Sequence, residues 1–362
     1  MTRILLLAWS LIALASTASA QSNIRDARIE SRPGADLAGT FQTLSNAAGP
    51  FWIGYAVPAQ DAEWNACCHD SGRDGAGCCG RCLLDGGRSS GVSVTSGGPP
   101  RGPIRLEAAA QAVVLYRVEN REVQRIRTYS ESCEIDAGGA TLYWLTGVST
   151  SASIDLLLRW AVRAEPDGGR HDRLGDGAIL AIAAHRDAAA DRALAALLAP
   201  DKPIGTRKQA AFWSANSRGR AGLDLVRKAL LDTTTAEALR KHLVFAISVS
   251  REAEAVDTLT SVARGDSSPT VRGEALFWLA HKAGRKAAST ITDAIANDPD
   301  TKVKERAVFA LSQLPQGEGV PKLIDVARTN RNPAVRKQAM FWLGQSRDPR
   351  ALDFFVEVLG RP

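Results

Sequence analysis

One frame of nine residues returns through the second half of the chain, and it limits what the chain can fold into more than any other feature. VRKQAMFWL at 335–343 is preceded by VKERAVFAL at 303–311, VRGEALFWL at 271–279, LRKHLVFAI at 239–247 and TRKQAAFWS at 206–214. The shared aromatic stands at Phe212, Phe245, Phe277, Phe309 and Phe341, at spacings of 33, 32, 32 and 32 residues. A degenerate sixth copy, GAILAI at 177–182, sets Ile179 another 33 residues upstream. A unit of this length cannot bury its own apolar face, so it must stack on neighbours of its own kind.

Each unit reads as two helices. The first carries the frame. The second follows a short turn, as in Gly319 to Arg328, where Val320, Leu323, Ile324 and Ala327 form one apolar stripe. Ser268-Pro269, Asp298-Pro299, Asn332-Pro333 and Asp348-Pro349 each set a capping side chain beside a proline suited to a first helical turn.

The segments SPTVRGEALFWLAHKAG and NPAVRKQAMFWLGQSRDPRALDFFVEVL resemble HEAT repeats of the short bacterial HEAT-like type, and the resemblance covers residues 171–362. It implies an α/α superhelix, a HEAT-like α-solenoid of about six helix pairs, whose second helices line a concave surface used to hold protein partners. The family's Asp or Asn before Pro and its Val-Arg pair fall on Asn332, Val335 and Arg336, and on Ser268, Val271 and Arg272. In the copy at 206–214 the Val is Thr206, after a looser Pro203-Ile204-Gly205, which predicts a distorted unit. Kinship also brings HEAT-like lyases and polyanion-binding relatives into view as alternatives.

The solenoid is expected to follow a small disulfide-rich, mainly β (α+β) domain at 21–170. Residues 1–20 read as a signal peptide: Arg3, an apolar run from Ile4 to Ala15, then Ala18-Ser19-Ala20 ahead of Gln21. That run is too short for a transmembrane span, which needs roughly 20 apolar residues, so an exported protein, periplasmic or secreted, is expected. Every lysine lies at or after Lys202 and every cysteine at or before Cys133; residues 171–362 carry a net +7 and 4–170 a net −2.

In the N-terminal part, Ala35 to Leu44 predicts a short helix and Phe51 to Val57 a buried strand. An Asn-containing turn at Val118 to Val123 predicts one hairpin, and Asp136-Ala137-Gly138-Gly139 predicts a second, together an antiparallel meander. Ser151 to Ala164 supplies a bridging helix, with Ile154, Leu157, Leu158 and Ala161 on one face.

The stretch WNACCHDSGRDGAGCCGRC at 64–82 holds five cysteines and a histidine in nineteen residues. In an oxidising compartment the even set Cys67, Cys68, Cys78, Cys79, Cys82 and Cys133 reads as a disulfide framework whose pairing the sequence leaves open. The rival reading is a zinc site, with Cys79 and Cys82 as a CxxC joined by Cys67 or Cys68 and His69. A thiol-redox module is a third, although the CxxC lacks the βαβ frame that lowers a thiol's pKa.

In the repeats, Arg207, Arg240, Arg272, Lys304 and Arg336 place one cation per layer. They read either as bonded to acids and carbonyls of adjacent turns or as a basic groove for polyanions. Export makes nucleic acid an unlikely natural target. Phe-Trp at 212–213, 277–278 and 341–342 alternates with Phe-Ala at 245–246 and 309–310, which reads as core packing, with an exposed aromatic stripe as the rival.

His171, His185, His242 and His281 lack metal spacing and read as solvated or helix-end residues. No Ser-His-Asp, paired-carboxylate or phosphate-loop arrangement can be placed, GRDGAG at 72–77 included, so neither catalysis nor a cofactor is expected. The last helix, 350–359, carries Leu352, Phe354, Phe355, Val356 and Val358 with no polar cap after it, which predicts coverage by a partner, another copy or a membrane component.

Overall fold

The computed structural model describes residues 23–60, 66–68, 82–84, 92–94, 111–162 and 173–360. The expected signal peptide lies outside them, as do His69, Cys78 and Cys79. Two compact units divide the chain, residues 1–210 and 211–362. The boundary expected near residue 170 falls in an undescribed stretch, and the first helix pair of the repeat half belongs with the N-terminal unit.

The N-terminal unit is built on a five-stranded mixed sheet. Its strands are β2 (Arg28–Pro33), β3 (Phe51–Pro58), β7 (Gln111–Glu119), β8 (Glu122–Ser130) and β10 (Thr141–Thr146), in the order β2-β10-β3-β7-β8. Short strands β1 (Ile24–Arg25), β9 (Ile135–Asp136) and β5 (Cys82–Leu83) form a parallel trio, and β4 (Ala66–Cys68) pairs β6 (Val92–Val94). Alternation along β3 sends Ile53 and Tyr55 to one face and Trp52 to the other, and both faces are buried.

On the Tyr55 face lie α1 (Leu37–Ser45), α2 (Thr150–Ala161) and α3 (Arg173–Ala184). Phe41 and Trp160 set their rings 5.0 and 5.5 Å from that of Tyr116. Helix α3 lies so close to β8 that a Cβ at Gly177 would stand 2.5 Å from the Ile126 carbonyl oxygen. On the opposite face Trp52, Leu115, Leu142 and Trp144 pack with Ile24, Cys82, Cys133 and Ile135 of the parallel trio and its flanks.

The first expected hairpin forms. Asn120 and Arg121 both adopt positive φ, 54° and 63°, and Glu119 pairs with Glu122, the geometry of a two-residue turn matched to strand twist. The second does not. Gly138 and Gly139 turn the chain as their positive φ requires, but β9 pairs in parallel with β1 and β5, and β10 in parallel with β2 and β3. The meander is corrected to a mixed sheet because the partners of β10 come from residues 28–33 and 52–54, far away in sequence.

Residues 173–360 hold six helix pairs. The first is α3 with α4 (Ala188–Leu197), and α5 (Ile204–Ser217) continues across the unit boundary, an unbroken helix at the copy for which distortion was expected. In the second unit α5 pairs with α6 (Gly219–Leu231), α7 (Glu237–Val249) with α8 (Glu254–Gly265), and α9 (Pro269–Ala283) with α10 (Ala288–Asn297). Two more pairs follow, α11 (Thr301–Ser312) with α12 (Gly319–Thr329) and α13 (Pro333–Gln345) with α14 (Pro349–Leu359).

Frame residues Leu243, Leu276 and Val308 and stripe residues Leu259, Ile291 and Leu323 are buried between layers. Where α12 crosses the end of α11, a Cβ at Gly319 would meet the Leu311 carbonyl oxygen at 1.9 Å, so only glycine fits.

Ser268, Asn332 and Asp348 cap their helices as expected, accepting from the amides of Val271, Ala334 and Arg350. Asp298 does not. Asp300 caps α11 instead, accepting from Lys302 and Val303, while Asp298 accepts from the Asp300 amide and from Arg272. Among the described residues no helix is long and apolar enough to cross a membrane.

Candidate protein-interaction surfaces

The cations of the repeated frame point at the protein's own helix ends. In the N-terminal unit Arg207 Nε donates to the Leu198 carbonyl at 3.1 Å. In the second unit Arg240 Nε donates to Leu230 O at 3.1 Å, Arg272 Nη1 to Asp266 O at 2.8 Å, Lys304 Nζ to Ala296 O at 2.9 Å and Arg336 Nη1 to Asn330 O at 2.8 Å. Each reaches back to carbonyls left over at the end of the preceding second helix, where the helix dipole favours a cation.

Two of them also bind a carboxylate one layer on. Arg240 pairs with Asp266, and Arg272 holds both oxygens of Asp298 at 2.8 and 2.9 Å, with side-chain exposures of only 10% and 6%. Burial works to raise the pKa of Asp298, but bonds from Arg272 and the Asp300 amide hold it below the usual carboxylate range. The Arg272 guanidinium is raised in turn, chiefly by its bond to Asp298.

The frame aromatics are not sealed in the core. Phe212, Phe245, Phe277 and Phe309 are half-buried and Phe341 is exposed, which corrects the core reading. They touch from layer to layer: Phe212 stacks on Phe245 at 5.8 Å, Phe245 meets Trp278 at 4.8 Å, Phe277 stacks on Phe309 at 5.4 Å, and Phe309 meets Trp342 at 4.7 Å. Arg306 lies over Phe277 and Phe309 and bonds Glu274, which also accepts from the Trp278 indole. What the core takes from this part of the frame is its neighbours, Val244, Ala246, Leu276, Val308 and Ala310.

On the second helices a groove opens between α10 and α12. Two adjoining concavities of about 510 and 640 Å³ share Thr292 and Lys322. Ile295, Pro321, Val326 and Leu314 give the groove an apolar floor, and Lys322, Asp325 and the ion pair of Arg285 with Glu318 give it charges of both signs. Neither sign dominates, so a surface with apolar side chains and mixed charge would suit it better than a polyanion.

Of the cysteine set, Cys82 and Cys133 are buried in the core on the Trp52 face and both are disulfide-bonded. A sulfur in a disulfide is not the thiolate that zinc requires. Cys67 and Cys68 lie in β4, which is tied to β8 by the Ala66 amide donating to Ser130 Oγ at 2.9 Å. Among the described residues no group of three or more His, Cys, Asp or Glu could hold a metal ion.

Of the histidines, His242 and His281 pack against Phe245 and Phe277, and His171 lies outside the described residues. His185, just past the end of α3, is fully buried. Its Nε2 stands 2.8 Å from Ser153 Oγ, which stands 2.7 Å from the Tyr55 hydroxyl, itself 2.7 Å from that of Tyr116. The sequence showed no sign of this chain, because its members come from two strands, a helix and a helix end.

Ser153 and His185 are spaced like a nucleophile and its base, and the Ala181 carbonyl 2.6 Å from Nδ1 orients the ring, but every member is sealed from solvent. Here the polar chain fastens α2 and α3 to the sheet. Burial pushes the Tyr55 phenol up to about 12 and that of Tyr116 well above its ordinary value.

Residues 288–362 match the family model for HEAT repeats. The matched residues are HEAT-like repeats, and the same nine-residue frame recurs upstream of them in the chain. Solved structures similar to it include human deoxyhypusine hydroxylase in complex with glycerol, at 14% identity over 57% of this chain and 88% of that one, TM-score 0.31. The complex of CpcE and CpcF of phycocyanin lyase from Nostoc sp. PCC7120 aligns at 21% identity over 44% and 100%, TM-score 0.33. Kap95p, in its complex with RanGDP, aligns at 16% identity over 58% and 35%, TM-score 0.35. No curated protein matches the chain in sequence.

Proposed function

We propose that the repeat array is a protein-interaction scaffold and that its α10–α12 groove receives a segment of a partner protein. The observation that carries this reading is the groove itself: an apolar floor with cations and carboxylates of both signs, on the second helices of a HEAT-like array. The frame cations support a scaffold over a polyanion binder, since their donors are directed at internal carbonyls and acids.

A photo-crosslinking side chain at Thr292 of the full chain, in cells that make it, tests the reading. The expected result is a discrete protein adduct, lost in Lys322→Glu and Asp325→Lys. Absence of any adduct, or one indifferent to both substitutions, would overturn it.

The apolar run of residues 4–15 and the Ala-Ser-Ala before Gln21 support a second part of the proposal, that the chain is exported and its N-terminal unit stapled by disulfides. The bonded state of Cys82 and Cys133 agrees with it. The protein should begin at Gln21 on N-terminal sequencing and show six blocked thiols by intact mass. Free thiols with stoichiometric zinc would favour the metal or redox alternative.

A further inference from the structure

We propose, resting on the groove reading above, that the partner segment sets an arginine over Ala296 and against the Asp325 carboxylate. The array supplies its own control. At one place in successive second helices, 32 residues apart, stand Arg264 in α8, Ala296 in α10 and Arg328 in α12. Both arginines cross to the next layer: Arg264 Nη2 donates to Thr290 Oγ1 of α10 at 3.3 Å, and Arg328 pairs with Glu357 of α14. Ala296 has no side chain to send across, and it lines the groove that opens between α10 and α12.

The acid that such a side chain would serve is in place. Asp325 stands 32 residues before Glu357, so it holds in α12 the position that Glu357 holds in α14. It lines the same concavity, is exposed, and its carboxylate has no partner among the described residues. In α6 the corresponding place is Leu231, and the next layer has Ser261 where an acid would stand, so no charge is left over there. What the array sets against an acid at this position is a guanidinium, whose planar fork matches a carboxylate. Lys322 adds a second requirement. It stands 32 residues after Thr290, where Arg264 finds its hydroxyl acceptor, and its ammonium also lacks a partner among the described residues. An arginine entering the groove meets that like charge unless the segment brings an acid with it, so the segment recognised carries an arginine with an acidic residue close by.

A phage-displayed library of random linear peptides, panned against the immobilised full chain, tests the proposal. The expected result is a pool enriched in arginine with an acid nearby, whose clones bind Asp325→Asn about tenfold more weakly and Ala296→Arg no better than the bare support. Exchanging a clone's arginine for glutamine should cost the same factor against the unaltered chain and nothing further against Asp325→Asn, which pins the pair. Ala296 is exposed and arginine is native at the matching places in α8 and α12, so helicity by circular dichroism should be unchanged; Asp325→Asn is the second probe should Ala296→Arg misfold. A pool without arginine, or clones indifferent to both substitutions, would overturn the inference. If those clones still lose binding with Lys322→Glu, the groove reading stands while this one falls; a panning that returns nothing above the bare support overturns both.

Discussion

In the N-terminal unit bonds across the sheet and its flanks span long stretches of chain: Thr146 Oγ1 reaches the Arg32 carbonyl 114 residues away, and Asn23 reaches Glu131 across 108. In residues 211–362 the reach is one layer, as in Arg272 to Asp298 across 26 residues, Lys282 to Ser250 across 32 and Arg350 to Gly317 across 33. The first arrangement closes long loops before its core repays them, so it should form and fail as a whole. The second adds layers one at a time, and its stability should be a sum over neighbours.

The largest test of that contrast is Trp144→Ala. Trp144 is fully buried where β10 joins both halves of the sheet, and its loss should cost about 3–5 kcal/mol and unfold the N-terminal unit in one step, as read by chemical denaturation with tryptophan fluorescence. A gradual, multi-step loss would break the comparison.

Asp298→Ala tests the other side. It leaves Arg272 with only the Asp266 carbonyl and should cost about 2 kcal/mol, below the figure for a fully sealed pair because the seam adjoins solvent. Amide hydrogen exchange should rise in α9 to α11 and stay unchanged in α7. An increase spread over the whole unit would count against additive layers.

Alkali should separate the two units as well. The folded pKa of Tyr55 is raised above its unfolded value, so its contribution is complete below pH 10 and is lost as pH rises toward about 12. Absorbance at the phenolate band should show Tyr55 and Tyr116 ionising only as the N-terminal unit melts. The smallest effect is a gain: Arg121→Gly relieves a side chain held at φ 63° and should stabilise the β7–β8 hairpin by about 0.5 kcal/mol in the same denaturation assay.

The same difference in reach governs what could be read from residues alone. Helix pairs, their caps at Ser268, Asn332 and Asp348, and the pairing of frame cations with nearby turns depend on neighbours within a few dozen residues. The Asn120 hairpin was legible for that reason too. The parallel partners of β10 were not, since nothing near Asp136–Gly139 signals that the following strand belongs between residues 28–33 and 52–54. Asp298 misled because a proline after an acid also fits an acid that ends one helix while Asp300 starts the next. The aromatics misled because alternation in size satisfies a seam at the edge as well as one at the centre. The groove has no signal in sequence, as its residues are ordinary surface positions on two helices.

Because Arg272 grips the Asp266 carbonyl behind it and the Asp298 side chain ahead, the stretch from residue 267 to 298 carries both halves of a self-mating joint. A duplicate spliced in after Asp298 would bring an arginine for the old acid's backbone and a new acid for its own guanidinium. An added or removed layer of this kind would leave each junction as it was, so the length of the array could change by whole layers.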